Sequence, residues 1–187
     1  MTLPQCSTKY NVARAAAQAL AAAAVHQAAG DRQTYPSGQA MLFGLGPCQA
    51  LHVDRSDGKE DAVANVVSIC GSLRKGSYNR MLMQSLPVLV PAGMTIAEAP
   101  SFAELPFYNA DVQAASGFPA SVTALADAIR AADGVIFCTP EYNFSLPGGL
   151  KNAIDWVSRL PRQPFAGKPI AIQSASPGPL GGARVQY

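Results

Sequence analysis

The sequence predicts an α/β fold in which a doubly wound parallel sheet carries helices on both faces. Three observations lead there. From about Ala62 onward, short apolar runs alternate with stretches of helical periodicity, the pattern of repeated strand–helix units. Those apolar runs are nearly continuous rather than alternating, as expected of strands covered on both faces. Irregular loops rich in Gly, Ser, Pro and Asn follow Cys70, Cys138 and Gln173. In sheets of this kind ligands bind outside the carboxyl ends of the strands, where the strand order reverses.

Taken in order, Ala62–Cys70 reads as the first buried strand, Gly71–Asn79 as a turn and Arg80–Leu89 as a helix stopped near Pro91. Met94–Ala97 is a short strand candidate. Pro119 starts a helix in which Val122, Leu125, Ala126 and Ile129 fall at i, i+3, i+4 and i+7. Asp133-Gly134 ends it, and Val135–Cys138 is the next buried strand. Pro147–Leu160 is a further helix with Leu150, Ile154 and Val157 on one stripe and Trp156 near it, as a core residue. Pro169–Gln173 is a strand, followed by the loop Ser174–Gly182.

The chain changes character near residue 62. Residues 1–62 hold an alanine-rich stretch (Val12–Ala29), a Gly/Pro-containing segment (Tyr35–Gln49) and the charged run Asp54–Asp61. No acidic residue precedes Asp31, which admits a targeting segment with Ala15–Val25 as its apolar part. The apolar part is mostly alanine and is interrupted by Gln18, so the favoured reading is an N-terminal extension, helical or disordered. Residues 63–187 then form the domain, and removal of the extension is expected to leave its properties unchanged.

Composition narrows the chemistry. Of 187 residues 49% are apolar, ample for a core, and 14% are charged. The net charge is +2 with no block of Lys/Arg, so nothing suggests a nucleic-acid surface. No apolar run is long enough to span a bilayer. Cys6, Cys48, Cys70 and Cys138 form no Cys-x-x-Cys pair, and a reduced, cytoplasmic protein is the default reading. Both histidines, His26 and His52, precede the domain. The domain therefore lacks a nucleophile–His dyad and any His/Cys cluster of metal-ligand spacing, so no catalytic residue and no metal ligand is assigned. Demanding chemistry is assigned more easily to a bound organic cofactor.

The loop Gly71–Arg80 joins a buried strand to a helix, where backbone N–H groups and the positive end of the helix dipole favour an anion. Ser72, Ser77 and Asn79 add neutral donors; Arg74, Lys75 and Arg80 add positive charge. That combination suits a phosphate monoester. It is neither the dinucleotide Gly-x-Gly-x-x-Gly pattern nor a P-loop, and an ordinary solvated turn remains open. The loop Thr139–Gly149 offers Tyr142 and Phe144 as flat apolar surface and Asn143 and Ser145 as donors and acceptors, a mixture that suits a flavin ring. Core packing is the alternative for its aromatics. The third loop presents Ser176 and is otherwise a Gly/Pro turn.

These residues carry a resemblance. Gly-Ser-Leu-Arg-Lys-Gly-Ser-Tyr-Asn (71–79) and Pro-Glu-Tyr-Asn-Phe-Ser-Leu-Pro-Gly-Gly-Leu-Lys-Asn-Ala-Ile-Asp-Trp (140–156) resemble the NAD(P)H-dependent FMN reductase family, most closely its quinone and chromate reductase branch. Leu105–Gln113 and Gly181–Tyr187 extend the likeness over essentially all of the chain from Val66 on. The resemblance implies a flavodoxin-like fold with strand order 2-1-3-4-5, bound FMN, and dimers or tetramers. It implies that Arg74, Ser77, Tyr78 and Asn79, with their neighbours Ser72, Lys75, Gly76 and Arg80, hold the phosphate and ribityl chain. Glu141, Tyr142, Asn143 and Phe144 would border the ring, and Ser176 would support its polar end. The implied activity is ping-pong transfer from NADPH or NADH to small-molecule acceptors such as quinones, chromate or azo compounds. Two other readings stay open: a flavodoxin-like electron carrier, and an inactive truncated fragment. The family pattern also leads one to expect a helix, a strand and a closing helix after the fourth strand, so the domain reads as C-terminally incomplete.

Overall fold

The computed structural model describes residues 63–178 and 180–186. The N-terminal extension, Pro179 and Tyr187 lie outside the described residues, and with them the expectations placed on that extension.

A four-stranded sheet, all parallel, is built from β1 (Ala64–Cys70), β2 (Met94–Glu98), β3 (Gly134–Cys138) and β4 (Ile170–Gln173) in the order β2-β1-β3-β4. This matches the first four places of the expected 2-1-3-4-5 order. β1 and β3 occupy the centre, in a register that sets Val66 opposite Gly134 and Cys70 opposite Cys138. Both are buried almost throughout, which explains their unbroken apolar character. Alternate residues face opposite sides of a strand, so the sheet has two cores. Val67, Ile69, Val135 and Phe137 face α3 (Ala120–Ala131) and α4 (Gly148–Ser158). Val66, Cys70, Ile136 and Cys138 face α1 (Tyr78–Ser85) through Met83, and the 3-10 turn Leu86–Val88 through Leu86. On β4, Ile170 and Ile172 are 48% and 36% exposed while Gln173 is buried.

The helices follow their stripes. Val122, Leu125, Ala126 and Ile129 of α3 are all buried, as their spacing predicts. On α4 the buried positions are Leu150, Ala153, Trp156 and Val157, whereas Ile154, expected on the stripe, is only half-buried. α3 ends over Lys168, whose ammonium donates to the carbonyls of Arg130 (3.2 Å) and Ala132, the place where a cation best complements a helix dipole. Both boundaries of α1 differ from the sequence reading. α1 begins at Tyr78 rather than Arg80 because Ser77 caps it, accepting from the Arg80 N–H at 3.4 Å. It ends at Ser85 because Pro87 has no N–H with which to continue the helical ladder. A short helix, α2 (Ala110–Ser116), was not expected; none of its residues is buried.

The Cys138 thiol gives a pH-dependent contribution. Burial pushes its pKa far up, and nearby Cys70 adds to the effect. In the unfolded chain a thiol ionises near about pH 8.5, so the stability present below that pH is lost as pH rises past it, by roughly 1.4 kcal/mol per unit. Between pH 8 and pH 10 the parent should lose about 2 kcal/mol more than Cys138→Val in urea unfolding. Parallel losses in the two proteins would remove Cys138 as the cause.

Candidate functional site

The loops after β1, β3 and β4 leave the sheet side by side and are bonded to one another. The Gly71 N–H donates to the Cys138 carbonyl (2.8 Å), and the Thr139 N–H to that of Gln173 (2.9 Å). Asn79 binds the backbone of Ala175 twice, giving from Nδ2 (3.0 Å) and receiving at Oδ1 (2.9 Å). Glu141 Oε2 accepts from the Arg184 N–H at 2.8 Å. The three loops picked out from the sequence are therefore one assembly.

The first loop fits beneath the second only because residue 71 is glycine. A Cβ there would lie 2.2 Å from Thr139 Oγ1 and 2.6 Å from Thr139 Cβ, and Thr139 is fully buried. Gly71→Ala should cost about 1–3 kcal/mol through overpacking, read as a lowered urea midpoint. A change below about 0.5 kcal/mol, the range of ordinary surface substitutions, would mean that the loop gives way freely.

The loop then splits into a buried and an exposed half. Ser72 and Ser77 are buried; Ser72 Oγ accepts from the Arg74 N–H at 3.4 Å. Arg74, Lys75 and Gly76 are exposed, with Gly76 at φ 65°. The Arg74 guanidinium lies 5.8 Å from the centroid of the Tyr78 ring. Among the described residues neither Arg74 nor Lys75 has a carboxylate partner, and the backbone N–H groups of Leu73, Lys75, Gly76 and Ser77 have no hydrogen-bond acceptor. This stretch thus gathers unpaired donors and two uncompensated cations at the start of α1.

Two residues expected at the phosphate end are otherwise engaged. Arg80 is paired with Glu98 at 2.7 Å. Asn79 is buried with both ends of its amide on Ala175, so it positions the third loop.

The second loop turns sharply at Asn143 and Phe144, whose φ values are 49° and 66°. Tyr142 and Ser145 close the turn with paired backbone bonds of 3.0 and 3.1 Å. The aromatics are not core: Tyr142 is 51% and Phe144 67% exposed. Ser176 stays within its own loop, accepting from the Gly178 N–H at 3.1 Å. Arg184 was not among the sequence candidates; its guanidinium lies 4.2 Å from the centroid of the Phe144 ring. The signal available for it was only its place in the stretch 181–187.

A parallel sheet in the order β2-β1-β3-β4, with a cationic strand-to-helix loop and an exposed aromatic turn both on its carboxyl side, has the architecture of a flavodoxin-like protein, and its loops lie where such sheets bind ligands. Residues 64–187 match the family of NADPH-dependent FMN reductases, and the chain belongs to that family. It is 62% identical over 122 residues to a quinone reductase of Escherichia coli and 55% identical over 122 residues to an NAD(P)H-dependent FMN reductase of Pseudomonas aeruginosa. Each alignment covers 65% of this chain and 65% of the relative, so the chain spans about two thirds of their length. Among solved structures it resembles FerB, a flavoenzyme NAD(P)H:(acceptor) oxidoreductase from Paracoccus denitrificans, with a TM-score of 0.60 and 42% identity, covering 66% of this chain and 67% of that one.

Proposed function

We propose that this chain is an NAD(P)H-dependent oxidoreductase that binds FMN and reduces quinones. The observation that carries the reading is the loop 71–77: free N–H groups, Arg74 and Lys75 suit a phosphate bearing nearly two negative charges. Family membership and the named relatives support the same cofactor and donor.

When bound, FMN supplies the hydride chemistry, accepting from the nicotinamide and donating to the acceptor. The chain's own part is to bind and to orient. Arg74 and Lys75 would neutralise the phosphate, Ser77 caps α1, and Asn79 fixes the third loop against the first. Tyr142 and Phe144 offer flat apolar faces against which rings stack and water is excluded. Hydride transfer to a flavin depends on such placement more than on a protein acid or base. Alternate occupation of the site by donor and acceptor would make the kinetics ping-pong. Quinones are the first acceptors to try, with chromate and azo compounds as further ones.

We place the protein in the cytoplasm as a homodimer or homotetramer, with residues 63–187 as its FMN-binding domain. Among the described residues no helix is long and apolar enough to cross a membrane.

The test is direct. Purified protein should show flavin absorbance and should oxidise NADH or NADPH when a quinone is added, with parallel double-reciprocal lines. Flavin without acceptor-dependent turnover would point to an electron carrier. Protein that stays colourless in excess FMN would overturn the reading.

A further inference from the structure

We propose that Cys70 and Cys138 form a two-thiolate site for a soft monovalent cation of the Cu(I) class, at the carboxyl ends of the two central strands. The site needs no flavin and goes beyond the reductase reading.

The strand register is the first observation. Cys70 and Cys138 are direct partners across β1 and β3, and both face α1. Both are free thiols; Cys138 is fully buried, and Cys70, 7% exposed, is the side an ion reaches first. Neighbouring strands lie about 4.7–4.9 Å apart, and side chains of registered partners stand roughly parallel. Their sulfurs are therefore held at about the strand spacing. A disulfide needs the two Cβ atoms at about 3.8 Å, so the sheet would have to pinch to form one. Two thiolate–metal bonds of about 2.3 Å, the length found for zinc, span about 4.6 Å end to end. The spacing suits an ion between the sulfurs better than a bond joining them.

The hydrogen bonds are the second observation. The Cys70 thiol donates to the Ser72 carbonyl at 3.4 Å, and the Cys138 thiol to Gln173 Oε1 at 3.7 Å. Gln173 is the register partner of Cys138 on β4 and is itself buried. Its Nε2 has no hydrogen-bond partner, a costly state for a buried donor. Once Cys138 is a thiolate, a turn of the same amide brings that donor to the sulfur. Gln173 thus serves the thiol with its oxygen and the thiolate with its nitrogen.

The choice of ion follows from what is missing. Among the described residues no three His, Cys, Asp or Glu side chains come together. Tetrahedral zinc and hard, oxygen-seeking ions therefore lack their ligand sets. Thiolates select Cu(I) by softness, and two of them suffice for it. On binding, both thiol protons pass to solvent, and the ion with its two thiolates carries one negative charge. The start of α1 and the uncompensated cations Arg74 and Lys75, in the loop that follows Cys70, oppose that charge.

The test uses the full chain carrying Cys6→Ser and Cys48→Ser, because those two thiols lie outside the described residues. Cu(I), supplied anaerobically as its acetonitrile complex, is titrated against bicinchoninate as competing chelator. One equivalent should bind per chain. Cys70→Ala and Cys138→Val should each raise the Kd more than about 100-fold, beyond the cost of losing an outer partner. Gln173→Leu, which removes only such a partner, should raise it about tenfold. Zn(II) in excess should not displace the copper. X-ray absorption at the copper edge should show two sulfur neighbours, a readout that needs no variant to fold. Absence of uptake overturns the proposal. So does tight binding that survives either cysteine substitution, displacement by Zn(II), or a copper shell containing nitrogen or oxygen. No readout uses flavin or turnover, so failure here and failure of the reductase reading are separate results.

Discussion

Trp156→Ala should remove about 3–5 kcal/mol of folding stability. Trp156 is fully buried in the core beneath α3 and α4, with Tyr108 edge-on at 5.1 Å and Phe118 at 6.2 Å. Its Nε1 also donates to the Pro106 carbonyl at 2.8 Å. Domains of this kind are stable by only about 5–15 kcal/mol, so the loss is a large fraction of the total. Trp156→Phe separates packing from polarity. It retains most of the ring, and the Pro106 carbonyl keeps its second donor, Asn152 Nδ2 at 2.9 Å. The lost hydrogen bond should then cost about 1 kcal/mol, plus a smaller packing deficit. Trp156 is the chain's single tryptophan, so urea unfolding is followed by far-ultraviolet circular dichroism. Equal destabilisation by the two substitutions would show that the indole N–H, and not the ring, holds the loop after β2 against α4.

Arg74→Ala should raise the Kd for FMN by roughly 10- to 150-fold, the equivalent of about 1.5–3 kcal/mol for a charge-assisted hydrogen bond. Folding should change little, because Arg74 is exposed and its guanidinium touches only the Tyr78 ring, at 5.8 Å, among the described residues. Arg80→Ala is the informative comparison. Its guanidinium is occupied by Glu98, so its effect on the FMN Kd should be several-fold smaller. The measurement is flavin-fluorescence quenching on titration with FMN. Equal Kd values for parent and Arg74→Ala would take Arg74 out of the site. A larger effect from Arg80 would mean that its pairing with Glu98 is exchanged for the phosphate on binding.

What the sequence disclosed follows from which interactions are local. β1, β3 and α3 were legible because burial on both faces, or along one stripe, writes a period into neighbouring residues. α2 was not legible because it buries nothing. Its traces are the Asn109 cap, which accepts from the Asp111 N–H at 2.8 Å, and Gly117 at its end. The loops were found because strand ends and Gly/Pro clusters are also local features. The employment of their side chains was not local. Asn79 reads as a free donor in sequence but binds Ala175, 96 positions away, and Arg80 reads as a free cation but is paired with Glu98. The turn at Asn143–Phe144 was hidden because phenylalanine is not a turn residue.

The bonds between the loops bear on how the protein comes to fold. Asn79 lies at the start of α1, yet its amide is satisfied only by the residue that follows β4 by two positions. Closing so long a segment carries an entropic cost that must be met before the contact rewards it, and pairings distant in sequence form slowly. Until β4 docks on β3, the buried Asn79 lacks its partner and the third loop has no anchor on the first. FMN uptake that depends on the third loop should then be a late event in folding, with quenching of flavin fluorescence reporting the docking of β4 rather than collapse of the chain. Synthesis from the N-terminus imposes the same order, since the first loop emerges from the ribosome long before the residue that locks it in place.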